Sequence, residues 1–141
     1  MLKTLIAAFS NEGLTLVRNC KRKGMNVKVL DCFDLYHPQL TEWYGKDILQ
    51  TQGRRTDVRG AVAREAFDVA VVNEDTDFVR TALITQSLRE GGVRKIVVVT
   101  KDASKRAVYR RCGAHRVVIA SSPESAWSEL QDLIPSMATT A

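Results

Sequence analysis

The sequence predicts an α/β domain: a doubly wound, six-stranded sheet, mostly or wholly parallel, with helices on both faces. Three observations lead there. Short β-branched runs alternate with longer amphipathic stretches along almost the whole chain, the pattern of consecutive βα units. Two of the runs, DVAVV at 68–72 and KIVVVT at 95–100, are almost continuously apolar, as central parallel strands are when both faces are covered. The chain has 141 residues, of which 45% are hydrophobic and 26% charged, which is the composition and size of one ordinary folded domain.

The elements follow in order. Lys3 to Ala8 reads as the first strand. Asn11 to Gly24 reads as a helix, with Leu14, Leu16, Val17 and Cys20 on its apolar side, Lys21-Arg22-Lys23 suiting the last turn and Gly24 the C-cap. Val27 to Leu30 is the second strand. Leu35, Tyr36, Leu40, Trp43 and Tyr44 offer an apolar face to a helix that Pro38 restricts to a start near or after itself. Asp47 to Gln52 is a third strand, and Asp57 to Ala66 a short helix with Thr56 as its N-cap. Asp68 to Val72 is the fourth strand, Asp77 to Glu90 a helix ending at Gly91-Gly92, and Lys95 to Thr100 the fifth strand. Ser104 to Cys112 is a helix closed by Gly113, and Arg116 to Ala120 the sixth strand. Pro123 to Leu133 is the last helix, with Ser122 as N-cap and Pro at the first helical position. The domain is expected to run from 1 to 134, with 135–141 a fraying tail.

Composition narrows the function classes. No apolar run reaches the eighteen or so residues that span a bilayer, and the N-terminal apolar run is too short for a signal peptide. Cys20, Cys32 and Cys112 are odd in number and lack CxxC spacing, so they support neither a disulfide framework nor a zinc knuckle. With only His37 and His115 present, a His-rich metal site is not expected. The net charge of +5 favours anionic partners in general. Lys101, Lys105, Arg106, Arg110 and Arg111 form a basic segment, but no nucleic-acid motif accompanies it and a solvated face is the simpler reading. There is no GxSxG, P-loop, HExxH or supported Cys-His pair, so no enzyme activity is expected.

In an open parallel sheet, ligands bind beyond the C-terminal strand ends, where strand order reverses. The loop after the first strand, Ala8-Phe9-Ser10-Asn11-Glu12-Gly13, therefore matters most. A dinucleotide fingerprint would place three glycines where this sequence has Ala8, Ser10 and Gly13. Gly13 keeps the glycine that lets helix and strand pack closely. Ser10 adds a Cβ where the backbone would approach a pyrophosphate, and Glu12 adds a negative charge near the helix start. The loop reads either as a modified working site or as a nucleotide fold with a damaged phosphate site.

Asp31, after the second strand, stands where an acid would hold ribose hydroxyls; it equally suits a turn or helix cap. Gly53-Arg54-Arg55-Thr56-Asp57 offers two arginines to a phosphate or carboxylate, or forms a solvated turn. Asn73-Glu74-Asp75-Thr76-Asp77 holds three acids, a pattern compatible with a cation but better suited to the N-terminus of the following helix.

These pieces, in this order, resemble the N-terminal nucleotide-binding domain of the RCK/KTN (TrkA-N) family, which regulates potassium channels and transporters. The resemblance runs from about Leu2 to Leu133. KDASKRAVYRRCGAHRVVIASS, Lys101 to Ser122, is similar to the family's strand, charged helix and "LGA" followed by a final strand, with Cys112-Gly113-Ala114 as the tripeptide. FDVAVVNEDTDFVRTALITQSLRE, Phe67 to Glu90, resembles its fourth strand, acidic loop and long helix. Gly53 to Asp57 is similar to its "GDATD" segment with Arg54 in place of the acid.

The resemblance implies a Rossmann-like sheet of strand order 3-2-1-4-5-6. It implies NAD(H) or an adenine nucleotide (ATP or ADP) bound around Ala8, Phe9, Ser10, Asn11, Gly13, Asp31, Gly53, Arg54, Thr56 and Asn73, unless the altered glycine motif has cost the chain its ligand. It further implies a homodimer or larger ring in the cytoplasm, beside the membrane subunit of a potassium channel or transporter, with no nucleic-acid partner. The alternative is a receiver-like signalling module of strand order 2-1-3-4-5, which would bind a protein partner without taking phosphate.

Overall fold

The computed structural model describes residues 2–8, 13–31, 37–51 and 55–139. Six strands form one sheet in the order β3-β2-β1-β4-β5-β6. They are β1 (Lys3–Ala7), β2 (Asn26–Asp31), β3 (Ile48–Gln50), β4 (Val69–Asn73), β5 (Lys95–Thr100) and β6 (Arg116–Ile119). Every neighbouring pair is parallel. The chain therefore winds outward from the centre twice, once from β1 to β3 and once from β4 to β6. This is the Rossmann order, and it displaces the receiver-like alternative, whose sheet would be ordered differently.

The helices are α1 (Gly13–Arg22), α2 (His37–Tyr44), α3 (Arg55–Glu65), α4 (Phe78–Glu90), α5 (Arg106–Cys112) and α6 (Pro123–Thr139). They divide between the faces because side chains alternate along each strand. Ile6 and Ala8 of the first strand segment, with Val69, Val71, Val97 and Val99, pack under α1, α2 and α6. Leu5, Ala7, Ala70, Val72, Ile96 and Val98 pack under α3, α4 and α5. Near-continuous apolar runs are thus required at β4 and β5, and both strands are buried on both faces.

Several boundaries differ from the expected ones. β3 has only three residues, because Gly45–Asp47 forms a 3₁₀ turn where the strand was expected to begin. α3 already starts at Arg55, so Thr56 lies inside its first turn and is not the N-cap. The expected helix from Ser104 divides into a 3₁₀ turn, Ala103–Lys105, and α5. The last helix does not stop at Leu133 but passes through Pro135 to Thr139. An internal proline costs about 3 kcal/mol. Burying Ile134 and Met137 against α1 offsets it, at about 1.5–3 kcal/mol for each apolar side chain. Residues 135–139 are therefore helical where a frayed tail was expected.

The capping chemistry agrees with the sequence. Ser122 Oγ accepts from the Ser125 amide at 3.1 Å, starting α6. Asp77 accepts from the Arg80 amide at 3.2 Å, starting α4. Among the described helices, none is long and apolar enough to cross a membrane.

Candidate functional site

The sheet's C-terminal edge carries the strand-end residues Ala7, Asp31, Asn73, Thr100 and Ile119. Strand order reverses between β1 and β4, which pair from Thr4↔Val69 to Ala7↔Val72. Beside that point α1 begins at Gly13. A Cβ on Gly13 would lie 2.7 Å from the Ala8 Cβ and 2.7 Å from the Tyr44 hydroxyl. Real side chains do not approach so closely, so only glycine lets α1 sit against both the end of β1 and α2. Ala8 itself is buried, its side chain part of the core beneath α1.

Asp31 closes β2. Its side chain is 2% exposed and its Oδ2 is paired with His37 Nδ1, at the start of α2. Its backbone carbonyl accepts from the Thr51 amide at 2.9 Å. The carboxylate already has a partner within the fold, and His37, which sequence reasoning left without a role, supplies it. The expected ligand contacts Phe9, Ser10, Asn11, Gly53 and Arg54 lie outside the described residues, as does the side chain of Thr56.

Across the reversal, a cleft of about 350 Å³ opens over the ends of β4, β5 and β6. Asn73, Glu74, Thr100, Lys101 and Ser122 supply its polar lining, and Ala126 of α6 part of its apolar wall. Its acids are engaged by the protein. Glu74 Oε1 accepts from the Thr100 hydroxyl at 2.8 Å. Glu74 Oε2 accepts from the Tyr109 hydroxyl and lies 3.2 Å from Lys105 Nζ. Burial, then the Glu74 hydrogen bond, pushes the Tyr109 phenol well above its ordinary range. Asp75 pairs with Arg80 at 3.1 Å, and Asp77 is the cap already described. The acidic run thus anchors a loop and a helix start. Among the described residues, no group of three His, Cys, Asp or Glu side chains could hold a metal ion.

Asn73 differs from its neighbours. Its Nδ2 is buried and has no hydrogen-bond partner. Leaving such a donor unmade costs about 1–3 kcal/mol, and native folds seldom retain one without a reason. It sits on the wall of the cleft, at the end of a central strand. Asn73 was legible as a strand-end residue, whereas Thr100, Lys101 and Ser122 were not assigned to a site, although each follows or ends an apolar strand run.

A parallel sheet of this order, with its tight β1–α1 junction and an open cleft beyond the strand ends, defines a Rossmann-type domain. No family model matches the sequence, and no curated protein matches it. Solved structures do match. The RCK domain of GsuK shares 21% identity over 83% of this chain and 25% of its own, with a TM-score of 0.61. The GsuK channel, solved bound to NAD, gives the same identity and TM-score over 21% of its chain. The NAD(P)-binding domain of an exopolyphosphatase-related protein from Archaeoglobus fulgidus shares 18% identity over 96% of this chain and 99% of its own, with a TM-score of 0.63. A xanthine dehydrogenase from Bacillus halodurans shares 15% over 96% of this chain and 42% of its own, with a TM-score of 0.64. The chain therefore spans about a quarter of the GsuK chain that it matches, and at these identities the likeness is one of fold. That fold is RCK-like, as the sequence resemblance implied.

Proposed function

We propose that this chain is a non-enzymatic regulatory domain that binds NAD(H) or an adenine nucleotide and controls potassium transport through its assembly state. The observation that carries the reading is the reversal of strand order at β1 and β4, with α1 seated against β1 through Gly13. That junction is where a Rossmann-type domain receives a nucleotide, and the GsuK structures supply a fold neighbour that is a channel domain and one solved with NAD. The loop from Ala8 to Gly13, Asp31 and the segment from Gly53 to Thr56 would hold the nucleotide, with Asn73 across the reversal. The working complex would be a homodimer or ring in the cytoplasm, at the inner face of a membrane, bound to a channel or transporter subunit. A ligand that binds one assembly state more tightly than another shifts the balance between them by that difference in affinity.

Calorimetry with NADH, NAD, ATP and ADP tests the reading. Micromolar binding of at least one is expected. Asp31→Asn should weaken it about tenfold, the equivalent of about 1.4 kcal/mol, while circular dichroism shows the fold retained. A flat trace for all four nucleotides would overturn the nucleotide reading.

A further inference from the structure

We infer that the opposite, N-terminal edge of the sheet carries an oxyanion site, in which Arg89, His115 and Lys95 receive a phosphate group. The inference stands apart from the nucleotide reading, which concerns the C-terminal strand ends.

The site is built on the tautomer of His115. The Ile96 amide donates to His115 Nδ1 at 3.0 Å, so the ring proton lies on Nε2. Arg89 Nη1 lies 2.5 Å from that Nε2, and a guanidinium only donates. Two donors therefore meet with no acceptor between them, a repulsive contact that an anion accepting from both would relieve. Both donors are held in place. The Ile96 amide fixes the ring, and the Arg89 stem lies along Gly113, where a Cβ would come within 2.8 Å of it. The same Nη1 reaches the Gly113 carbonyl only at 3.5 Å, too long for a strong bond. Lys95, at the start of β5, is the third cation, and its charge acts on His115 alongside that of Arg89. The neighbouring acids are engaged elsewhere. Glu90, next to Arg89 in the chain, lies 3.8 Å from Arg59, and Asp68, whose carbonyl accepts from the Lys95 amide, lies 3.8 Å from Arg94. Among the described residues, no carboxylate pairs with Arg89, Lys95 or His115. Arg89 is exposed, and His115 and Lys95 are half-buried, so an anion can arrive from solvent. Three donor groups suit a compact tetrahedral oxyanion, which offers each its own oxygen where a carboxylate has only two. Two sources share that chemistry: inorganic phosphate, and the terminal phosphate of a small monoester.

The test follows the His115 ring proton of the full chain by NMR between about pH 5 and 8. Inorganic phosphate, glycerol 3-phosphate and acetate are titrated in turn, each against sodium chloride of equal ionic strength. At least one phosphate compound is expected to raise the His115 pKa saturably by about one unit, with a much smaller response to acetate and chloride. The tighter-binding of the two phosphate compounds identifies the source. Arg89→Gln, which keeps a stem on Gly113, should weaken that compound about tenfold or more. It should also raise the His115 pKa in the absence of any probe, because a facing cation is gone. Arg89→Lys should restore part of the affinity. The inference is overturned if chloride matches phosphate, since the shift is then screening alone. It is equally overturned if acetate matches phosphate, or if Arg89→Gln binds phosphate as tightly as the native chain. A phosphate response at His115 with no nucleotide bound in the calorimeter would leave this site standing and remove the nucleotide reading. Nucleotide binding that survives Arg89→Gln, with no phosphate response at His115, would do the reverse.

Discussion

At the ends of β1 and β2 the described side chains are turned on one another. Gly13 has no room for a methyl group between Ala8 and Tyr44, and one oxygen of the Asp31 carboxylate, Oδ2, pairs with His37. At the ends of β4, β5 and β6 the acids are also spent on the protein, but a cleft remains and one buried amide donor is unspent. The contrast teaches that the expected nucleotide loop and the described cleft lie in different halves of one sheet. The nucleotide contacts that the resemblance implies centre on the β1–α1 loop, where two of the three fingerprint glycines are replaced by Ala8 and Ser10. Among the described residues, the cleft lies on the side of β4 and β5, two strands buried on both faces.

Three experiments break or sharpen that comparison. The largest effect is expected at the tight junction. Gly13→Ala should cost about 2–3 kcal/mol by overpacking, read by urea denaturation, and Tyr44→Phe in the same chain should recover part of it by removing one of the two clashing atoms. A neutral Gly13→Ala would mean that this half has slack, and the contrast would fail. The next effect is a gain. Ala66, between α3 and β4, has φ 56°, a left-handed conformation that glycine adopts without strain. Ala66→Gly should raise stability by about 0.5–1 kcal/mol, sharpening the β4 half without touching its cleft; a fall in Tm would contradict this.

The smallest effect is pH-dependent. His115, before β6, accepts from the Ile96 amide at 3.0 Å through Nδ1 and faces Arg89 through Nε2. Burial, then the charges of Arg89 and Lys95, lower its pKa from the ordinary value of 6.5. The folded state therefore binds a proton less readily than the unfolded chain. Its contribution is complete above about pH 6.5 and declines as pH falls below that. His115→Gln should flatten the Tm profile between about pH 7 and 5; an unchanged slope would show that other groups set it.

Much of the fold was legible because burial on both faces writes itself into composition. β4 and β5 read as apolar runs, and β5 was bounded correctly at Lys95 and Thr100. β3 was read too long because a half-exposed edge strand carries little pattern, and its entry is a 3₁₀ turn that has no periodicity. The end of α6 was hidden by Pro135, whose local penalty is overridden by packing that only the folded helix makes. Cys20 was read on the apolar side of its helix and outside any disulfide framework. It is a free, buried thiol, and desolvation pushes its pKa up to about 12.

The candidate site was less legible. Gly13 and the capping role of the acidic loop could be reasoned from position. The Glu74 partners could not, because Thr100, Lys105 and Tyr109 lie 26 to 35 residues away and meet Glu74 only after β5 and α5 have docked. The Asp31–His37 pair was missed for a simpler reason: a single histidine beside a proline announces nothing until the strand before it is placed.

α6 has one end at the cleft and the other against α1. Its Ser122 cap lines the opening, while Ile134 and Met137 are packed with Leu16, Val17 and Cys20. A displacement of α6 at its Ser122 end would therefore have to be absorbed where the same helix packs on α1.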